Sequence, residues 1–192
     1  MYFFLASYPI LGAGLKYIDD AFYEKIFDKK IAYCIAPLLG ALWAYAMIIS
    51  AVSATILLAI VVGVLLKGKI DNFAHVLGLV VIFGVIIVFG IELLYLPLFL
   101  LTLSALFDEV GNDYVDKKGY LQSKVLWHKT LGYFFDQRWL TKVALLGLVA
   151  LGHFPLYFLV AMILFDGAYI SMRWYSLRRQ TTQKIKRQVS LT

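Results

Sequence analysis

The spacing of charged residues constrains this chain more than any other feature. All eighteen Lys and Arg fall in four segments, at residues 16–30, 67–69, 117–142 and 173–187. Between them, residues 31–66 carry no charge, 73–107 carry only Glu92, and 143–172 carry only Asp166. A membrane span needs about 20 apolar residues to cross about 30 Å of hydrocarbon. The first two intervals, about 35 residues each, are too long for one span and fit two short ones. Basic segments stay on the cytoplasmic side. A hairpin returns to the side it left, so cations at both ends of an interval favour a hairpin. Turn signals stand near each midpoint, at residues 50–53, 90–97 and 152–155. The third interval is shorter, so its helices are short, tilted or run past Arg173.

Composition agrees. The chain is 62% hydrophobic and 16% charged, against about half and about a quarter for a soluble domain. Its mean hydropathy is +0.81. These values exclude a soluble enzyme, a disulfide scaffold and a disordered chain. Residues 1–15 form an apolar run ending at Lys16. It has no basic leader, and Lys-Tyr-Ile-Asp-Asp follows where a small-residue cleavage site would stand, so it reads as a first span. The expected fold is all-α: a polytopic transmembrane bundle of about seven short helices, one span plus three hairpins. It would occupy residues 1–177, with a basic tail at 178–192. The N-terminus would lie outside and the tail in the cytoplasm, in the plasma membrane of a prokaryote. A single last span over residues 143–165 would put the tail outside, against the charge rule. Arg178, Arg179, Lys184, Lys186 and Arg187 suit anionic lipid headgroups, and no nucleic-acid partner is expected. The lone cysteine, Cys34, reads as a small buried hydrophobe.

The acids repeat a position. Span one ends in Asp19-Asp20, span three in Asp71-Asn72, span five in Asp108-Glu109, and span seven has Asp166-Gly167 near its end. A carboxylate at a helix C-terminus opposes the helix dipole by about 0.3–1 kcal/mol, and beside hydrocarbon it needs a partner. Each Asp could cap a following helix, or pair with a neighbouring lysine such as Lys16 or Lys69. A third explanation is a shared cation. If residues 14–29 are helical, Lys16, Asp20, Glu24 and Asp28 share a face, with Tyr23, Ile26 and Phe27 opposite. In the loop at 108–116, Glu109, Asn112, Asp113 and Asp116 would also share a helical face. Like charges so placed repel unless solvated or bridged by a hard cation. Oxygen donors of this kind suit Mg²⁺, which also takes substrate phosphates.

The two acidic segments resemble those of the UbiA-type intramembrane prenyltransferases, which carry an Asn-Asp-x-x-Asp-x-x-x-Asp motif and a second Asp-rich motif on cytoplasmic loops. Asn112-Asp113-Tyr114-Val115-Asp116 matches the start of the first pattern, with Tyr120 where its last Asp would be. Residues 108–113 resemble the second, and Asp19-Asp20 with Glu24 and Asp28 resembles the first more loosely. The motifs lie four spans apart, as in the family, which has nine helices where seven are expected here. The resemblance implies Mg²⁺ held by Asp19, Asp20, Asp71, Asp108, Asn112, Asp113 and Asp116, bridging a lipid diphosphate substrate. Lys69, Lys124 and Arg173 would neutralise the diphosphate, with Asn72 and Asp166 as further substrate contacts. Tyr17, Phe73, Tyr114 and Tyr169 would line the allylic cation, although each also fits ordinary core or interface packing. No catalytic residue is assigned.

Other signals are sparse. His75, His128 and His153 have no ligand spacing, though His75 lies four residues after Asp71. Gly40, Gly63, Gly78 and Gly84 lie within spans and suit close helix packing. Two further functions fit the charge pattern. One is a cation channel or transporter with an acidic cytoplasmic vestibule, for which Glu92 is the lone acid away from that side. The other is a non-catalytic membrane subunit.

Overall fold

The computed structural model describes residues 1–68, 70 and 72–189, with side chains through Thr182. Lys69 and Asp71 lie outside the described residues. The fold is all-α, with eight helices and no strand among the described residues. They are α1 (Tyr2–Phe22), α2 (Lys29–Ile48), α3 (Ala51–Leu66), α4 (Phe73–Phe89), α5 (Tyr95–Lys117), α6 (Leu126–Asp136), α7 (Trp139–Ala150) and α8 (Leu156–Val189). A single 3₁₀ turn, Tyr120–Gln122, precedes α6.

The breaks fall at local signals. Ser50 is extended, and its hydroxyl accepts the Ser53 N–H at 3.3 Å, so it caps α3. Gly90 (φ +72) ends α4 and Gly152 (φ +76) follows α7; both conformations suit a residue without Cβ. The Asn72 side chain accepts the His75 N–H at 2.9 Å and caps α4. Helix α6 is the element the charge spacing does not anticipate; it occupies the polar segment between α5 and α7.

The chain forms two compact units: residues 1–44, 72–85 and 161–192, and residues 45–71 and 86–160. In the first unit Tyr8, Leu11 and Ile18 of α1 are buried, as are Ala36 and Trp43 of α2 and Phe165 of α8. Trp43 meets Phe165 edge to face at 6.1 Å. A Cβ on Gly12 would strike the Phe165 carbonyl, and one on Gly40 the Gly78 carbonyl, so small residues set these approaches. In the second unit α5 packs against α3, α6 and α7 around Leu57, Leu101, Val115, Leu145 and Leu148.

Apolar side chains also cover the outside. In α4 only Ala74 and Ile82 are buried, while Ile87, Val88 and Phe89 are 82%, 74% and 70% exposed. Two helices, Lys29–Ile48 and Leu156–Thr182, are long and apolar enough to cross a membrane. Ala51–Leu66, Phe73–Phe89 and Trp139–Ala150 are shorter apolar helices.

Several expectations change. Helix α1 stops at Phe22 and Lys25 adopts φ +53, so Glu24 and Asp28 leave the face that Lys16 and Asp20 share. The acidic stretch at 108–116 is the last part of α5, not a loop. Helix α8 continues unbroken past residue 177, so Asp166 lies well inside a helix. Cys34 is exposed, because it lies two residues from the buried Ala32 and Ala36 and so faces away from them. Gly84 has open space around its would-be Cβ and sets no helix contact.

The glycines give a paired test by thermal unfolding in detergent. Gly40→Val should destabilise by about 1–3 kcal/mol through overpacking. Gly84→Ala should stabilise by about 0.5–1 kcal/mol by lowering the entropy lost on folding. Equal harm from both substitutions would contradict this packing.

Candidate functional site

In the second unit the acidic end of α5 meets the start of α7. Helix α7 begins after Arg138, which is in the left-handed region (φ 51) and offers no side-chain cap. Asp108, fully buried, fills that role. Its Oδ1 accepts the Leu140 N–H at 3.1 Å, and its Oδ2 accepts the Thr141 N–H and hydroxyl, each at 2.7 Å. Three donors and the positive end of a helix dipole thus hold the buried carboxylate. Glu109 is paired with the Arg138 guanidinium at 3.0 Å. The Lys142 ammonium donates to the Gln137 carbonyl in the same turn.

Farther along α5 the groups open outward. Asp113 is paired with Lys67, at the end of α3, at 2.7 Å; the two side chains are 31% and 25% exposed. Asn112 Oδ1 is buried and has no hydrogen-bond partner, and Asp116 is exposed. Gly111, within this stretch, lies where a Cβ would strike the Phe135 ring of α6. Tyr114 meets Tyr120 edge to face at 5.9 Å, and Tyr120 stacks on His128 at 4.4 Å. A hydrogen bond with Tyr114 pushes the Tyr120 phenol above the ordinary tyrosine range. The motif's last position thus carries a phenol in place of a carboxylate. Lys124 is exposed beyond it.

In the first unit the Asp19-Asp20 pair ties α1 to α8 and to the start of α4. Asp20 is buried, 2.8 Å from Lys16, and accepts the Ser176 hydroxyl of α8. Asp19 accepts the Tyr169 hydroxyl at 3.1 Å and stands 3.5 Å from His75 Nε2. Lys16 lies over the Tyr169 ring at 5.5 Å. The histidine's tautomer follows from its cap. Asn72 Oδ1 accepts a backbone N–H, so its Nδ2 faces His75 Nδ1, at 2.7 Å. An amide nitrogen only donates, so Nδ1 is the acceptor and Nε2 carries the proton toward Asp19. Asp166 is buried in α8 and Arg173 is exposed on it.

The structure thus gathers Asp19, Asp20 and, through His75, Asn72 in the first unit. It gathers Asp108, Asn112, Asp113 and Asp116 in the second. Among the described residues, no three His, Cys, Asp or Glu side chains are grouped so as to hold a metal ion. Most of the acids instead meet donors of the protein itself. Of the aromatic candidates, Tyr169 joins the Asp19 cluster, Tyr17 stacks on Phe27, and Phe73 meets Tyr33. Sequence reasoning missed Ser176, Thr141, Arg138 and the role of Lys67, whose partners lie far away in the chain. His75 alone carried a signal, its spacing from the neighbouring acids. No family model, characterised protein or solved structure matches the chain.

Two measurements of stability test these assignments. Asp108→Ala should cost about 2 kcal/mol, the value of a helix cap strengthened by charge, and Asp108→Asn about half as much. A double-mutant cycle on Lys67 and Asp113 should give a coupling below about 1 kcal/mol, since both groups meet solvent. A neutral Asp108→Ala variant would remove the capping role.

Proposed function

We propose that this chain is a polytopic membrane protein that uses Mg²⁺ to act on a prenyl or other lipid diphosphate at the cytoplasmic face, in the manner of UbiA-type prenyl transfer. The observation that carries this reading is the outer end of α5. There a buried Asn112 Oδ1 lacks a hydrogen-bond partner, Asp113 and Asp116 neighbour it on one helix, and the Lys67 ammonium stands 2.7 Å from Asp113. Oxygen donors beside a cation are what a Mg²⁺–diphosphate pair needs: Asn112, Asp113 and Asp116 would hold the metal, and Lys67 would neutralise the phosphate. Mg²⁺ bound there would draw charge from the leaving diphosphate. The chain's own part is to place Asn112, Asp113 and Asp116 on successive turns and to hold Lys67 against them. Asp108 and Glu109 contribute by fixing α7 against α5. The exposed apolar faces of α4 and α2 support the bilayer setting, and the cationic segments support a cytoplasmic tail and an external N-terminus.

A second reading draws on a different observation. Asp108, Glu109, Asp20 and Asp19 all meet protein donors, as structural carboxylates in an apolar fold must. On this reading the chain is a non-catalytic membrane subunit.

One assay separates the two. Purified protein incubated with radiolabelled prenyl diphosphates should show turnover that requires Mg²⁺. Asp113→Asn and Asp116→Asn should each lower it on the order of 10²-fold with little change in melting temperature. Absence of metal-dependent turnover, together with a stoichiometric partner on purification, would establish the subunit reading instead.

A further inference from the structure

The α8 segment beyond Arg173 is rich in arginine, and its two described guanidiniums there are held in one distinctive way. Arg178 lies over the Trp174 ring, its guanidinium carbon 3.3 Å from the ring centroid. Arg179 lies 5.4 Å from the centroid of Phe27. Phe27 itself sits in an aromatic ladder, stacked on Tyr17 at 4.4 Å and on Tyr175 at 6.3 Å. Both arginines are exposed, and neither makes an ion pair with a carboxylate among the described residues. Two acids of the same unit are engaged elsewhere: Glu24 accepts the Gln180 amide and Asp28 the Lys30 N–H. Beyond Asp166 the chain has six cations and no acid.

Stacking occupies the face of a guanidinium and leaves its edge. The five N–H groups lie in the plane, arranged for bidentate contact with a phosphate. An aromatic face beneath fixes that plane, so less freedom is lost when an oxyanion binds. Trp174 and Tyr175 are 56% and 54% exposed, and exposed Trp and Tyr settle at headgroup depth in a bilayer. We propose that Arg178 and Arg179, seated on Trp174 and on the Tyr17–Phe27–Tyr175 ladder, form a binding site for the phosphate of an anionic phospholipid headgroup. The occupant is a lipid because the platform that orients the two arginines is aromatic and exposed, as a membrane interface requires. The site shares the membrane setting of the proposed function but uses neither its metal nor its carboxylates.

The test titrates the full chain, in zwitterionic detergent and without Mg²⁺, with phosphatidylglycerol or phosphatidylcholine, reading bound lipid by native mass spectrometry. The background carries Asp113→Asn, so a failed enzyme reading leaves the result intact. Arg178→Gln with Arg179→Gln should weaken phosphatidylglycerol binding about fivefold for each cation removed, with phosphatidylcholine binding weak throughout. Arg178→Lys with Arg179→Lys should lose part of the affinity, since charge remains but the planar fork does not. Trp174→Ala, which leaves both arginines in place, should also weaken binding and serves if the double variants unfold. Inorganic phosphate should not displace the lipid. Wild-type binding by the double Gln variant, or by the double Lys variant, would overturn the site. Displacement by inorganic phosphate would overturn its assignment to a lipid.

Discussion

The fold depends on giving the buried carboxylates of Asp20, Asp108 and Glu109 a donor. An ionised carboxylate among apolar helices costs several kcal/mol unless it is paired and hydrogen-bonded. The chain meets this cost by joining elements at the acids. Asp108 accepts three donors from the first turn of α7. Asp20 takes Lys16 from its own helix and Ser176 from α8. Asp19 takes Tyr169 and faces His75. Apolar packing between smooth helices fixes neither rotation nor register strongly, whereas these polar contacts have one geometry each. Within each unit, the acids therefore specify which helix turn stands against which.

How much of this the sequence discloses depends on distance along the chain. Helix ends are written locally: the Ser50 cap, Gly90 and Gly152 stand where the turn signals place them. The repeated acids are equally plain, although Asp108 and Asp166 stand inside helices and not at their ends. Their partners are not. Thr141 lies 33 residues from Asp108, Tyr169 lies 150 from Asp19, and Ser176 lies 156 from Asp20. Periodicity carries no information over such separations. The sequence lets each Asp cap the helix that follows it; Asp108 instead caps one that begins past α6. Gly111 shows the same limit. It stands inside an apparent ligand motif, and its size is set by Phe135 of α6. Helix α6 itself hides in the polar segment, where the span rule is silent.

The acids consequently divide into two kinds. Asp108, Glu109 and Asp20 are buried, and their oxygens are committed to protein donors. Asp113 and Asp116, toward the end of α5, reach solvent. A motif read along the sequence gives all of them equal standing, whereas burial separates those that hold helices together from those that could meet a ligand.

Helix α8 carries a mechanical consequence. From Trp174 it continues to Val189 without a break, 15 residues that rise about 22 Å at 1.5 Å each. If Trp174 sits at headgroup depth and the helix stands upright, its last turn is more than two screening lengths, each about 8 Å, from the lipid phosphates. The end of α8 would then rise from the bilayer like a post instead of lying on it as an anchor.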